Sequence, residues 1–413
     1  MTLIFEDKTV EKGLHAFVIG VGDFPFAKPD LGTNPKLQAV RDLPSAADSA
    51  KLMCDWLLAN RDSMTPRLRS LEVLISDVPG GDTRYLARDA RVLQPIGRAD
   101  SATVPTAGGD WIGRLDEDEG STAFFYACGH GANHGMQPVL FLSDINRRTG
   151  GDAWSHLNIG VMAQAFRQKP EIAAASFLLD ACGEYVPVFP DNARENGFIT
   201  PDIPGPTDRD KVWLLAAASA GSLAYPGVST EDLLHDPRYA PQFEEKVDSG
   251  SGVRFGRFTQ TLIKGLEGSS SRWSNAGWHV DAMGLWSDLR QLHRIYFPAW
   301  KDKPFEPSQV MSPNIRLTLI RHDAPRLPVV VEIDPPQRAA DFDLRIGLSG
   351  DGDQPWIGVG GGRTPGPWVT HIAADRSRPY YALAIDPNAP PPPCHSSFFM
   401  ADQPQFDQRV TIP

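Results

Sequence analysis

Residues 124–135 read "FFYACGHGANHG". The apolar run that begins just before this stretch, "TAFFYA" (122–127), passes through Cys128 into a histidine, His130, set between Gly129 and Gly131. The run has no polar alternation, which is the pattern of a strand buried on both faces. Four other short runs share that character: "LHAFVIGVG" (14–22), "LEVLIS" (71–76), "AAASFLLDA" (173–181) and "KVWLLAAAS" (211–219). Apolar residues at helical spacing lie between or beyond them, at 44–60, 157–168, 256–267 and 280–295, and Pro44-Ser45 makes a natural helix start. Strand and helix in repetition predict an α/β fold: a mostly parallel sheet with helices on both faces.

A second strand end answers the first. In "FLLDACGEY" (177–185) an apolar run leads into Asp180, Ala181 and Cys182. His130 and Cys182 therefore both fall just past the carboxyl ends of expected strands, the edge at which parallel sheets build their sites. A cysteine and a histidine so placed suit nucleophilic catalysis. The thiolate attacks a carbonyl, and the imidazole takes its proton or holds it as an ion pair. The resulting oxyanion needs fixed donors, and the amides of Gly131 and Cys182 are the candidates. Asp180, two residues before Cys182, is expected to point to the same side of its strand as the nucleophile.

Composition narrows the class. The chain has 413 residues, and its formal net charge of −11 argues against general affinity for nucleic acid or anionic membrane. No apolar run approaches the length of a membrane span, and Leu14–Gly22 reads as a buried strand rather than a signal peptide. Four cysteines without a CxxC pair predict neither a zinc site nor a disulfide framework, so no cofactor or metal is expected and a reducing, cytoplasmic setting fits. "HGANH" lacks the glutamate of a zinc-protease helix. "LDEDEGS" (115–121) reads as a solvated acidic turn, and Cys54 as a core residue.

The composition changes near residue 325. The last lysine is Lys303, and 15 of the 37 prolines fall in 325–413. Runs such as "VVVEI" (329–333), "FDLRIGLS" (342–349) and "YYALAID" (380–386) read as strands separated by turns, without helical period. The expected division is an α/β domain over 1–324 and a small, sandwich-like all-β domain over 325–413.

On these motifs the chain resembles the caspase-like cysteine peptidases, the group that includes metacaspases and bacterial caspase homologues. "FFYACGHG" is similar to the family's histidine motif and "FLLDAC" to its cysteine motif, about 50 residues apart, as in caspases. "LPSAADSAKLMCDWL" (43–57), "LLAAASAGSLAYP" (214–226) and "GRFTQTLIKGLEG" (256–268) extend the likeness, which covers roughly residues 10–320. The resemblance implies a caspase-hemoglobinase fold and endopeptidase activity on protein or peptide substrates, with Cys182 as nucleophile, His130 as acid/base, and backbone amides of Gly131 and Cys182 as oxyanion donors. It also implies an acidic pocket for a basic side chain, formed by Asp48 and Asp180, with Cys128 where the family often has serine. Cleavage after arginine, then lysine, is the expectation. The loops 185–210 and 225–255 are expected sites of activation or processing. Two other classes are carried beside the enzyme: a caspase-fold module that only holds a partner's peptide, and a scaffold whose β domain binds a regulatory protein while the peptidase stays locked.

Overall fold

The computed structural model describes residues 2–28, 40–77, 84–85, 94–134, 137–147, 155–182, 211–218, 255–298, 305–311, 317–348, 357–358, 367–386, 388 and 394–412. The loop 185–210, and 225–255 up to its last residue, lie outside the described residues. The chain divides into two compact units, Met1–Ile263 with Ala299–Leu317, and Lys264–Pro298 with Thr318–Pro413. Residue 325, where the composition changes, falls inside the second unit.

The first unit is built on a seven-stranded sheet. In chain order its strands are β1 (Leu3–Glu6), β2 (Leu14–Val21), β3 (Leu68–Ser76), β6 (Thr122–Cys128), β10 (Ala174–Asp180), β11 (Val212–Ala216) and β14 (Ser308–Met311). In space they run β1-β3-β2-β6-β10-β11-β14. The five central strands are parallel, whereas β1 and β14 pair antiparallel at the two edges. Two short pairings stand apart from it: β4 (Arg84–Tyr85) with β5 (Gln94–Pro95), and β7 (Gly131–His134), β8 (Gln137–Phe141) and β9 (His156–Asn158) in an antiparallel trio.

Four of the five central strands are buried throughout, as runs without polar alternation require, and β3 is buried at every position but Arg69. One face carries α2 (Thr103–Glu117) and α3 (Ile159–Phe166), whose Trp111 and Phe166 join Phe17, Phe125 and Phe177 of three adjacent strands in one core. Trp111 stacks on Phe166 at 5.4 Å, and Phe166 meets Phe177 edge-on at 5.2 Å. The other face carries α1 (Pro44–Ala59), which begins on Pro44 as its sequence suggests. α1 lies close because Gly20 has no side chain; a Cβ there would stand 2.6 Å from that of Ala50. The N-terminal part of α4 (Arg257–Lys264) reaches the same face, where Thr259 meets Tyr126 and Asp180.

α2 was not expected from the sequence. Pro105, Gly108 and Gly109 are poor interior helix residues. Yet its buried residues Val104, Ala107, Gly108, Trp111 and Leu115 recur at helical spacing, and the Asp100 carboxylate caps its start by accepting from Thr103 N at 2.9 Å. The acidic run 115–121 forms the end of this helix and the turn after it. Its Asp118 is not left to solvent: it accepts from the backbone N–H groups of Lys12 and Gly13 and pins the entrance of β2. Cys54 is fully buried in α1, as expected.

The second unit holds a π-helical turn (Gly265–Ser269), α5 (Ala282–Tyr296) and a three-stranded sheet of β12 (Arg272–Ser274), β13 (Gly277–Asp281) and β15 (Thr318–His322). Its remaining strands form two sheets. One joins β16 (Arg326–Asp334) to β19 (Trp368–Ala373) and β22 (Gln405–Thr411). The other joins β17 (Asp343–Leu348), β18 (Ile357–Gly358), β20 (Asp375–Ile385) and β21 (Cys394–Ala401). Val329 and Val331 from the first share one core with Ile346, Ala382 and Phe399 from the second. The three apolar runs noted beyond 325 each overlap one of these strands, β16, β17 and β20. Among the described residues, no helix is long and apolar enough to cross a membrane.

Candidate active site

β6 and β10 are neighbours in strict parallel register, from Ala174 opposite Thr122 to Asp180 opposite Cys128. The ladder continues one step past the strands, where Gly129 N donates to the Asp180 carbonyl at 3.2 Å. His130 and Cys182 each follow the last paired residue of their strand by two positions. The chain beyond His130 turns back under the chain at Cys182. A Cβ on Gly131 would lie 2.8 Å from the Ala181 Cβ and 3.1 Å from the Cys182 carbonyl oxygen. Only glycine allows that approach.

The His130 ring is held from the neighbouring strand's side. Its Nε2 donates to the Arg41 carbonyl at 2.8 Å, just before α1, and its ring packs on Phe24, just after β2, at 5.1 Å between centroids. Because a carbonyl can only accept, the ring proton is fixed on Nε2, and in the neutral imidazole Nδ1 is the basic nitrogen. A backbone carbonyl thus holds the ring by one nitrogen, as a carboxylate does in the Ser-His-Asp arrangement.

The described cysteines divide clearly. Cys54 and Cys128 are buried, and burial pushes both thiols well up, so neither supplies a thiolate near neutral pH. Cys182 is partly exposed and lines a pocket of about 270 Å³ at the strand ends. Leu179, Ala181, Ala216 and Ala218 give this pocket apolar surface, and Asn133 and Gln309 bring amide groups to it.

Asp180 and Cys128 lie on the opposite face of the sheet. The Asp180 carboxylate accepts from Thr259 N at 3.2 Å and from the Thr259 hydroxyl at 2.5 Å. The hydroxyl in turn accepts from Tyr126 at 2.5 Å. Burial raises the Asp180 carboxyl above the usual carboxylate range, while hydrogen bonds from Thr259 and the Cys128 thiol pull the other way. The fit is close: a Cβ on Gly256 would collide with this carboxylate, and Gly256 N donates to Ser49 at 2.7 Å. Asp180 therefore braces the end of β10 against the start of α4. It is not among the residues that line the Cys182 pocket, although its neighbours Leu179 and Ala181 are. Asp48 is the more accessible of the two expected pocket carboxylates. It stands 3.8 Å from Lys51, which also pairs with Asp77 at 2.6 Å.

The structure thus brings His130, Gly131 and Cys182 to one sheet edge, and binds Cys128 and Asp180 into a buried network beneath it. Sequence reasoning missed Arg41, whose contribution is a backbone carbonyl and leaves no residue signature. It also missed Phe24, which was legible in principle as an aromatic just past the end of the β2 run, and Thr259. No protein-family model matches the chain, and no curated protein matches its sequence.

Proposed function

We propose that this chain is a cysteine endopeptidase of the caspase-like kind, working through Cys182 and His130. The observation that carries the reading is the β6–β10 register, which sets the two residues past adjacent parallel strand ends, with Gly131 packed against the Cys182 carbonyl. In the proposed reaction His130 Nδ1 takes the thiol proton and the sulfur attacks the substrate carbonyl. The oxyanion is met by the amides of Gly131 and Cys182. The imidazolium then protonates the leaving amine, and a water hydrolyses the acyl-enzyme with His130 again as base.

The proposal includes cleavage after arginine, then lysine. A guanidinium can meet carboxylates through paired hydrogen bonds that an ammonium cannot reproduce. Asp48 is the accessible partner, and a contribution from Asp180 requires its carboxylate to turn from Thr259. Kinetics on matched peptides differing only in the residue before the cleaved bond test this. Arginine over lysine and aspartate is expected; preference for aspartate would refute it. A caspase-fold module that holds a peptide without cutting it remains the reading in which no turnover occurs.

A further inference from the structure

We infer that the 270 Å³ pocket at Cys182 is a subsite for an uncharged side chain on the residue that follows the cleaved bond. The inference rests on the peptidase reading and assigns a second specificity to the same site. Three observations carry it. First, among the described residues, none that lines the pocket is charged. Ala181, Ala216 and Ala218 keep it open by their small size, and Asn133 and Gln309 supply its polar groups. An ammonium or carboxylate entering it would lose water without gaining a counter-charge. Neither Asp48 nor Asp180 belongs to it.

Second, the pocket and the Asp180 carboxylate lie on opposite faces of the sheet. Leu179 and Ala181 face the pocket, whereas Asp180, between them, faces Thr259. Successive side chains of an extended peptide point in opposite directions. A substrate that turns its basic residue toward the Asp180 face turns the adjoining residues toward the pocket.

Third, the wall bearing Asn133 and Pro138 belongs to the β7–β8 hairpin, which begins at Gly131, directly after His130. The leaving amine must come within reach of His130, because it receives that proton. The residue carrying the amine therefore lies along the hairpin side, and its side chain enters the pocket.

The test uses internally quenched peptides with arginine before the cleaved bond. The residues on either side of that arginine are varied separately among Val, Leu, Asn, Asp and Lys. Val, Leu and Asn after the bond are expected to exceed Asp and Lys by roughly tenfold or more in kcat/KM. Gln309→Glu, at the partly exposed β14 edge, should raise the Lys-to-Val ratio at that position by roughly tenfold. Ala216→Leu, checked for folding by circular dichroism, should depress Leu relative to Val there by filling the pocket. Equal rates for all five residues, discrimination only at the residue before the arginine, or an unchanged ratio in folded Gln309→Glu would overturn the inference while leaving the peptidase reading intact. Failure of the wild type to cleave any peptide of the set would refute that reading itself, and the inference with it.

Discussion

Cys128 and Asp180 face each other as the last register pair of β6 and β10, and the next amide, Gly129 N, donates to the Asp180 carbonyl at 3.2 Å. Two residues on from each partner stand His130 and Cys182. Strand pairing thus brings both residues to the same end of neighbouring strands. The same rung also carries the buried contact between the Cys128 thiol and the Asp180 carboxylate.

Gly131→Ala tests how tightly the two strand ends are joined. The added methyl would sit 2.6 Å from the Val139 carbonyl oxygen and 2.8 Å from the Ala181 Cβ, so either the hairpin or the Cys182 segment must move. Overpacking of this kind costs about 1–3 kcal/mol. A fall in melting temperature accompanied by a drop in kcat larger than the change in KM is expected. Unchanged stability would contradict the packing described.

The Thr259 brace makes its own prediction. Thr259→Val removes the hydroxyl that the Asp180 carboxylate accepts from, and leaves a buried acceptor short of a donor; the cost is about 1–3 kcal/mol. Burial raises the Asp180 carboxyl in the folded chain, so the folded state holds that proton over a range where the unfolded state has lost it. Stability from this group is therefore present at low pH and declines as pH rises past the unfolded carboxylate value toward the raised one. Asp180→Asn should flatten that part of a melting-temperature profile. A slope equally steep in Asp180→Asn would show that another group causes it.

A buried and a half-buried histidine predict a loss of stability on the acid side. His15 accepts at Nδ1 from Ser70 at 2.7 Å, and its Nε2 donates to Asp118 at 3.3 Å. Burial brings its pKa down to about 4. His371 in the second unit accepts from Tyr296 at 2.9 Å and is likewise brought down to about 4, by burial and then by Arg326 and Lys264. Between the ordinary histidine value and about 4, the unfolded chain binds protons that the folded chain refuses, so stability falls as pH falls through that window. Each histidine contributes on the order of 3 kcal/mol across it. His15→Gln and His371→Gln should each reduce the slope of unfolding free energy against pH between 6.5 and 4; slopes equal to wild type would contradict both placements.

The sheet was legible because burial on two faces leaves a simple trace. Leu14–Val21, Thr122–Cys128, Ala174–Asp180 and Val212–Ala216 each lie within or within a residue of an apolar run. α2 was hidden by Pro105 and its three glycines, although Trp111 and Leu115 kept its period. The β7–β9 trio was hidden because strands of three to five residues, with Gly131, Pro138 and several polar positions, carry little β signal. At the candidate site the sequence placed His130 and Cys182 at strand ends correctly. It could not show that the Asp180 carboxylate is seated on Thr259, a residue 79 positions away. It could not show that an Arg41 carbonyl orients His130, since every residue type carries one.

The central claim is that Cys182 is a nucleophile served by His130. Its most direct measurement is turnover of arginine-containing peptides by purified wild type, Cys182→Ala and His130→Ala, all folded by circular dichroism. The account predicts cleavage by wild type, none above background by Cys182→Ala, and a rate lowered roughly 10²–10⁴-fold in His130→Ala. Substantial turnover by Cys182→Ala would contradict it.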